Sequence, residues 1–302
     1  MRFFTCFRMI LLLLCTYSTA VLCETKVVLL GTGNPNAHPD RSGPATAVIV
    51  DGHSYIFDAG TGVVRRAAAA AEKHNINTLE PENLTHVFLT HLHSDHTLGL
   101  SDIILTPWVL GRAGPLKLFG PTGSAAMADR LLQAYTEDID ARLYGLESAN
   151  HVAWKVDTKE WSDTQTTYSD DHITVEAFPV CHGLWENAYG YRIKTADKVI
   201  VISGDTSYCP IMIEKAAGAD MLIHEAYSDV SYKRLSASWA KYHAAYHTSA
   251  IDLARIANTA NPKLLITTHQ LTWGGDPVDM IEDEIKRSYS GAVVTGRDLD
   301  IF

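Results

Sequence analysis

Short apolar runs alternate with polar turns along most of the chain. Lys26–Leu30, Ala45–Val50 and Ser54–Phe57 are compact apolar segments. Gly31-Thr32-Gly33-Asn34-Pro35 and Asp51-Gly52 separate them, so they read as strands joined by turns. An Ala-rich stretch predicts a helix over Val63–His74, and the apolar run His86–Leu89 predicts a strand. Further strands are predicted at Leu116–Phe119, Ile173–Phe178, Gly190–Lys194, Val199–Ile202, Met221–Ile223 and Leu264–Thr267. Helices are predicted at Ser124–Tyr135, Ser249–Ala260 and Val278–Tyr289. In the second of these, Leu253, Ile256, Ala257 and Ala260 share one face, and Ser249 with Asp252 resembles a capping box. No repeat, low-complexity tract or linker divides residues 24–302, which predicts one domain. Strands first and then strands mixed with helices predict an α/β fold of packed sheets with helices outside.

The first 23 residues follow a different pattern. Arg2 and Arg8, the unbroken apolar run Met9–Leu14 and the small residues Ser18, Thr19 and Ala20 have the layout of a secretory signal peptide. Met9 to Cys23 is 15 residues, against the roughly 20 a spanning helix needs. The expectation is a signal peptide at residues 1–23, a secreted or periplasmic domain at 24–302, and no membrane span after cleavage. Without that segment the chain has 23 basic and 35 acidic residues, a net charge of −12. Such a balance disfavours nucleic acid, whose phosphates are bound through Lys and Arg. Cys181 and Cys209 remain in the body, where a disulfide and two buried thiols are both open readings.

The sharpest chemical signal is Thr90-His91-Leu92-His93-Ser94-Asp95-His96, at the end of the strand His86–Leu89. His91 and His93, two apart in extended chain, project to one side, and Asp95 and His96 follow where the chain turns. Imidazole and carboxylate suit zinc. His182, Asp205 and His269 each stand at the C-terminal end of an apolar strand, and loops at such ends converge in α/β sheets. Singly each would pass for a turn or cap residue. Beside the first cluster, a shared metal site is the better reading.

These motifs, with Asp58 in Phe57-Asp58-Ala59-Gly60, resemble the five ordered motifs of the metallo-β-lactamase superfamily, across residues 27–269. The resemblance implies a four-layer αββα sandwich with its site at one edge and two Zn2+ ions as cofactors. It implies that His91, His93 and His182 hold one zinc, that Asp95, His96 and His269 hold the other, and that Asp205 bridges them. Asp58 would orient the cluster without binding metal, with His224 in a similar supporting place. Aspartate at position 205, where true lactamases of the family usually carry Cys, is similar to the phosphodiesterase, arylsulfatase and tRNA-processing branches.

A pair of zinc ions activates a shared water and polarises the bond to be cleaved. Asp95 is the candidate base. His224-Glu225-Ala226 and His247-Thr248-Ser249-Ala250 resemble two segments of the ribonuclease Z branch, which implies that Glu225 orients His247 and that His247 protonates the leaving group. A helix cap and an ion-pair partner are the plainer readings of those two residues. Trp185, Trp273, Tyr208 and Tyr242 are candidates for an aromatic pocket, with core packing or a homodimer contact as the alternative. Gly31–Pro35 with Arg41-Ser42-Gly43 also resembles the opening of that branch, though an ordinary hairpin turn explains it equally well.

Only 22 residues separate His182 from Asp205, where tRNA-processing enzymes carry an arm that grips tRNA. The leading expectation is therefore an arm-less zinc-dependent hydrolase of a small-molecule ester, of aryl sulfate or phosphodiester type. The alternative is a ribonuclease Z-like tRNA 3′-processing endoribonuclease, and the alternative of another class is a zinc-binding protein without turnover.

Overall fold

The computed structural model describes residues 24–147, 149–162, 164 and 166–302, so the expected signal peptide at 1–23 lies outside the described residues. Six strands form the first sheet, in the order β1 (Lys26–Gly31), β2 (Ala45–Val50), β3 (His53–Phe57), β4 (His86–Phe88), β5 (Leu116–Gly120) and β6 (Val156–Glu160). The second sheet comprises β7 (Thr167–Ser169), β8 (Thr174–Pro179), β9 (Tyr189–Lys194), β10 (Val199–Ile202), β11 (Met221–Tyr227), β12 (Leu264–Leu271) and β13 (Val293–Thr295), also in chain order across the sheet. One half of each sheet is antiparallel and the other parallel: β3 to β6 run together, as do β10 to β13.

Strand alternation sorts the side chains into layers. Val27, Leu29, Tyr55 and Phe57 face inward against Val175, Ile193, Ile200 and Ile202, forming the core between the sheets. The residues between them, Val28, Leu30 and Ile56, face outward. That outer face is covered by α1 (Val63–His74), α3 (Leu100–Val109) and α4 (Ser124–Ala134); the single turn α2 (Ser94–Thr97) precedes α3, and α5 (Thr136–Tyr144) follows α4. Val201, Leu222 and Leu265 face the other way, onto α6 (Pro210–Ala216), α9 (Ala250–Ala260) and α10 (Asp279–Lys286). Between α6 and α9 the chain forms the short α7 (Asp229–Tyr232) and then α8 (Ala237–Tyr246). The result is the four-layer αββα sandwich expected. On α9 the face Leu253, Ile256, Ala257 and Ala260 is buried, and Ser249 caps the helix by accepting the Asp252 N–H at 3.0 Å.

The sandwich positions the site through its parallel strands. β3, β4, β10, β11 and β12 all point their C-terminal ends to the same edge, where the two sheets meet. Tyr191 ties the layers at that point: it receives the Trp161 indole N–H at 3.0 Å and donates to the Leu89 carbonyl, one residue before Thr90-His91.

The structure differs from the predicted elements mainly at this edge. β11 and β12 each run four residues further than predicted, to Tyr227 and Leu271. His224 and Glu225 thus lie within a strand rather than after it, and His269 likewise. Polar residues in a row read as loop, yet these are buried because the site, not water, receives them. β6, β7 and β13 are short or polar, and α5, α6 and α8 lack the clean apolar face that marks α9; α3, also absent from the predicted elements, buries Leu100, Ile103, Ile104, Pro107 and Trp108 but carries a proline within it.

Arg112 is fully buried and its guanidinium is met by main-chain oxygens: it donates to Ile103, Ile104, Ala153 and Leu84 at 2.7–3.3 Å. Burial lowers its pKa to about 10. Because removing it strands several buried carbonyls, Arg112→Met should destabilise the fold by about 3 kcal/mol. The urea midpoint measures this, and an unchanged midpoint would contradict the assignment.

Candidate metal centre

Three unusual backbone positions aim the central side chains. Asp58, directly after β3, has φ +63°, and His269 has φ +44°, in the left-handed region that side chains with a Cβ seldom adopt. His269 is the extra residue of a β-bulge: Glu225 pairs with Thr268 and Ala226 with Gln270, leaving it unpaired in between. A bulge re-aims a side chain that the strand's alternation would otherwise send elsewhere. Gly204, at φ +60°, precedes Asp205; a Cβ there would lie 2.8 Å from the Tyr189 carbonyl, so only glycine fits.

Hydrogen bonds behind the cluster decide which imidazole nitrogens carry protons. Asp58 accepts the Thr90 N–H at 2.7 Å, the Thr90 hydroxyl at 2.9 Å and His96 Nδ1 at 2.8 Å. Since the Thr90 hydroxyl gives its proton to Asp58, it accepts from His91 Nδ1 at 3.0 Å. His182 Nδ1 donates to the Tyr246 carbonyl at 2.9 Å. In His91, His96 and His182 the proton therefore sits on Nδ1, and the lone pair of Nε2 faces inward.

What meets inside is a set of acceptors. His91 Nε2 and His182 Nε2 lie 2.9 and 3.1 Å from His93 Nδ1. Asp205 sits in the middle, 3.4 Å from His96, 3.5 Å from His269 and 3.9 Å from His91. Asp95 is 3.1 Å from His269 Nε2. His96 Nε2 and Asp205 Oδ1 are buried without a hydrogen-bond partner. Buried lone pairs with too few donors are costly unless a cation receives them. The donor set therefore fits metal ions. His91, His93, His182 and Asp205 could hold one ion and Asp95, His96 and His269 another; the ligand atoms of each group lie within 4.8 Å of one another.

Electrostatics follow the same logic. Burial drives His91 well below the ordinary imidazole range and His182 down to about 4, so both are neutral. Burial is the largest influence on His96 and His269 and would lower both, but Asp205 together with Asp58 at His96 and with Asp95 at His269 overcomes it and raises both, so that without a metal ion a proton takes the cation's place on these rings. Burial works to raise Asp205; His269 and His96 overcome it and hold its carboxyl well below the usual range.

Beside this cluster stands a second pair. Glu225 Oε1 accepts the Thr248 N–H at 2.7 Å, while Oε2, without a hydrogen-bond partner, faces His247 Nδ1 at 3.5 Å. His247 stacks on His269 with ring centroids 5.6 Å apart, and its Nδ1 is 3.9 Å from Asp205. Burial raises Glu225 well above the ordinary carboxyl range, with Asp205 adding to it, and lowers His247 to about 4. Asp205, His247 and His269 form a third group of metal-binding geometry. His224, the strand neighbour of Glu225, has its Nδ1 2.6 Å from the Glu225 carbonyl oxygen, so it adjoins that residue's backbone rather than the ligand atoms.

All seven expected ligands thus meet at one edge, with Asp58, Glu225 and His247 around them. Of the aromatic candidates, Trp185 packs its ring 4.2 Å from His93, while Trp273 and Tyr242 line a cavity with His247. Tyr242 belongs to α8 rather than to a loop, and Tyr208 lies under Arg255 against the helix layer. Gly31–Pro35 opens no tight hairpin: the long connection from Gly31 to Ala45 lines the cleft beside Asp95. Sequence reasoning left Thr90, Tyr246 and His243 without a role. Thr90 had a signal, its place inside the histidine motif, whereas Tyr246 acts through its carbonyl and its residue type carries none.

Residues 53–270 match the model of the beta-lactamase superfamily domain. The chain is similar to the ribonuclease Z of Mycobacterium bovis (strain BCG / Pasteur 1173P2), 31% identical over 282 residues that cover 91% of this chain and 96% of the relative. Among solved structures it is similar to the metallo-beta-lactamase fold protein YhfI from Bacillus subtilis, with TM-score 0.70, 19% identity and coverage of 92% and 98%. It is also similar to the short form of human tRNase Z, with TM-score 0.66, 20% identity and coverage of 92% and 98%. At these identities the two structures speak for the fold.

Asp58 fixes His96 and, through Thr90, His91. Asp58→Ala should weaken Zn2+ binding about ten- to hundredfold, read by competition with a chromophoric chelator, while the circular dichroism spectrum stays native. Unaltered affinity would rule out this support.

Proposed function

The chain belongs to the beta-lactamase superfamily, in its ribonuclease Z-like branch, and is a metal-dependent hydrolase acting on ester bonds; from that premise we propose that its substrate is a phosphodiester. In this reading two Zn2+ ions are held by His91, His93 and His182 and by Asp95, His96 and His269, with Asp205 shared. When bound, such ions supply Lewis acidity and an activated water. Asp95 accepts the water's proton. Glu225, held protonated by burial, faces His247 Nδ1 and can donate to it, which places the ring's own proton on Nε2; that proton goes to the leaving oxygen as the Glu225 proton moves to Nδ1. Asp58 and His224 stay behind these groups and do not touch substrate.

The observation that carries the reading is the Glu225–His247 pair beside Asp205. An aryl sulfate expels a stable phenolate and gains little from a dedicated acid. A sugar or alkyl oxygen leaves poorly and needs one. The pair therefore favours a phosphodiester over the aryl sulfate expected first, in line with relatives named ribonuclease Z, and RNA 3′-end cleavage is the fullest form of this reading. A small diester is a second reading: the stretch between His182 and Asp205 forms only the plain β9–β10 hairpin and offers no arm to grip a large RNA.

A substrate panel tests this. Zinc-loaded protein should cleave a precursor RNA with a 3′ trailer or bis-para-nitrophenyl phosphate, or both, and lose this with chelator; para-nitrophenyl sulfate, a lactone and a β-lactam should turn over far more slowly. Turnover of the lactam alone would refute the reading. His247→Ala should keep its zinc but lose about a hundredfold or more on substrates with alkyl or ribose leaving groups. On para-nitrophenyl esters the loss should be much smaller.

We further propose an exported location. Cys181 and Cys209 form a disulfide that closes the segment carrying both His182 and Asp205, and such bonds persist in oxidising compartments. Expression of the full chain in a secreting host should release protein that begins after Ala20 or Cys23. N-terminal sequencing reads this, and retention of an intact Met1 in the cytosol would refute it.

A further inference from the structure

α8 carries Trp239, Tyr242, His243 and Tyr246 at spacings of three and four, which places four rings on one face. Trp239 stacks on His243 and Tyr242 on Tyr246, with centroids 5.8 and 4.6 Å apart. Trp273 meets His243 from the loop after β12, at 4.7 Å. Despite this stacking, Trp239 is 58% exposed and Tyr242 37%. Trp239, Tyr242, His243 and Trp273 wall a cavity of about 430 Å³ that Leu235, Leu271 and His247 also line. No Asp, Glu, Lys or Arg lines it among the described residues.

A second cavity, of about 540 Å³, lies on the Asp95 side of the same cleft and is lined by Asp95, Ser94, His38 and Arg41 among others. The two share Pro35 and Asn36. One cleft is thus divided into a polar half at the proposed base and an aromatic half at the proposed acid.

We propose that the aromatic half binds a planar ring carried on the leaving oxygen. This rests on the assignment of Asp95 and His247 as base and acid. In an in-line displacement the attacking and departing oxygens lie on opposite sides of phosphorus. The water oxygen bonds to phosphorus as the bond to the leaving oxygen breaks. One water proton passes to Asp95, and His247 gives one to the leaving oxygen. The group beyond that oxygen is then on the His247 side, against Trp239, Tyr242 and Trp273. Aromatic walls without charge favour a flat, neutral ring. An aryl group and a nucleobase share that chemistry, and the retained ester group takes the polar half.

The test pairs each leaving group that bears a planar ring with one of its own kind that lacks it, with methyl as the retained group throughout. Methyl para-nitrophenyl phosphate is set against methyl hexafluoroisopropyl phosphate, both with activated leaving groups, and a methyl nucleoside phosphate against methyl tetrahydrofurfuryl phosphate, both with unactivated alcohols. In Trp239→Ala and Tyr242→Ala the preference in kcat/KM for a ring-bearing over the ring-free leaving group should fall about five- to hundredfold, chiefly through KM. Trp239→Phe should restore part of it. The arm with the larger loss, aryl or nucleoside, names the source of the ring. Equilibrium dialysis of zinc-loaded protein with para-nitrophenol and with adenosine gives a readout free of turnover: the wild type should retain at least one, and the double alanine variant should release it. An unchanged preference in both variants overturns the proposal whatever the dialysis gives. If the wild type cleaves no diester, the phosphodiester reading fails by itself, and dialysis alone then decides whether the cavity takes a ring.

Discussion

The structure turns on one electrostatic constraint, the burial of Asp205 among imidazole nitrogens whose lone pairs face it. The protons of His91, His96 and His182 are drawn outward, to Thr90, Asp58 and the Tyr246 carbonyl. That leaves the interior rich in acceptors and poor in donors, an arrangement that is tolerable only around cations. Much of the local backbone serves it. Asp58 and His269 occupy left-handed conformations, a bulge interrupts the β11–β12 pairing, and Gly204 sits where no Cβ fits. Strain of this kind persists only where the surrounding fold over-determines it. Here the inter-sheet core supplies the rigidity, with Tyr191 tying the chain ahead of His91 to the second sheet.

Around that centre the cleft is asymmetric, and the asymmetry is what connects structure to chemistry. The same sandwich supports many hydrolases, so the fold alone does not choose among them. The choice lies in the residues that flank the metal-binding groups. Glu225 and His247 stand on one side, on the second sheet and at the end of α8, and Asp95 stands on the other, at the end of the first sheet. In the proposed reaction Asp95 and His247, arriving from different sheets, would serve a displacement in which bond making and bond breaking occur on opposite faces. The stacked face of α8 extends the His247 side, and the long loop between β1 and β2 lines both cavities.

Much of this was legible in the residues themselves. The histidine motif, the three polar residues at strand ends and Asp58 were all readable, because metal ligation demands particular side chains and strand ends announce themselves through apolar runs. The helix α1 and strands β2 and β10 have the predicted bounds for a similar reason: their burial pattern is simple. β11 and β12 were read too short because their last residues are polar, and hydropathy cannot distinguish polarity that faces water from polarity that faces a buried site. The aromatic face of α8 was read only in part: Tyr242 and Trp273 were named for an aromatic pocket, but as loop residues and without Trp239 or His243. Trp239, Tyr242 and His243 stand among alanines, serines and a lysine, and the cavity they line is completed by Trp273, thirty residues beyond His243.

The amino-acid sequence by itself determined the fold class, the set of side chains that could hold metal ions and the acidic balance of the chain. Those depend on residue type and local spacing, which a linear chain records. Tertiary structure alone decided which ring nitrogen faces inward, that Cys181 and Cys209 pair, and that His247 and Asp95 line different cavities that share Pro35 and Asn36. These are relations of distance and direction between segments far apart along the chain. They exist only once parallel strands from two sheets bring their ends to a common edge, where distance and direction, rather than residue type, fix what each group can do.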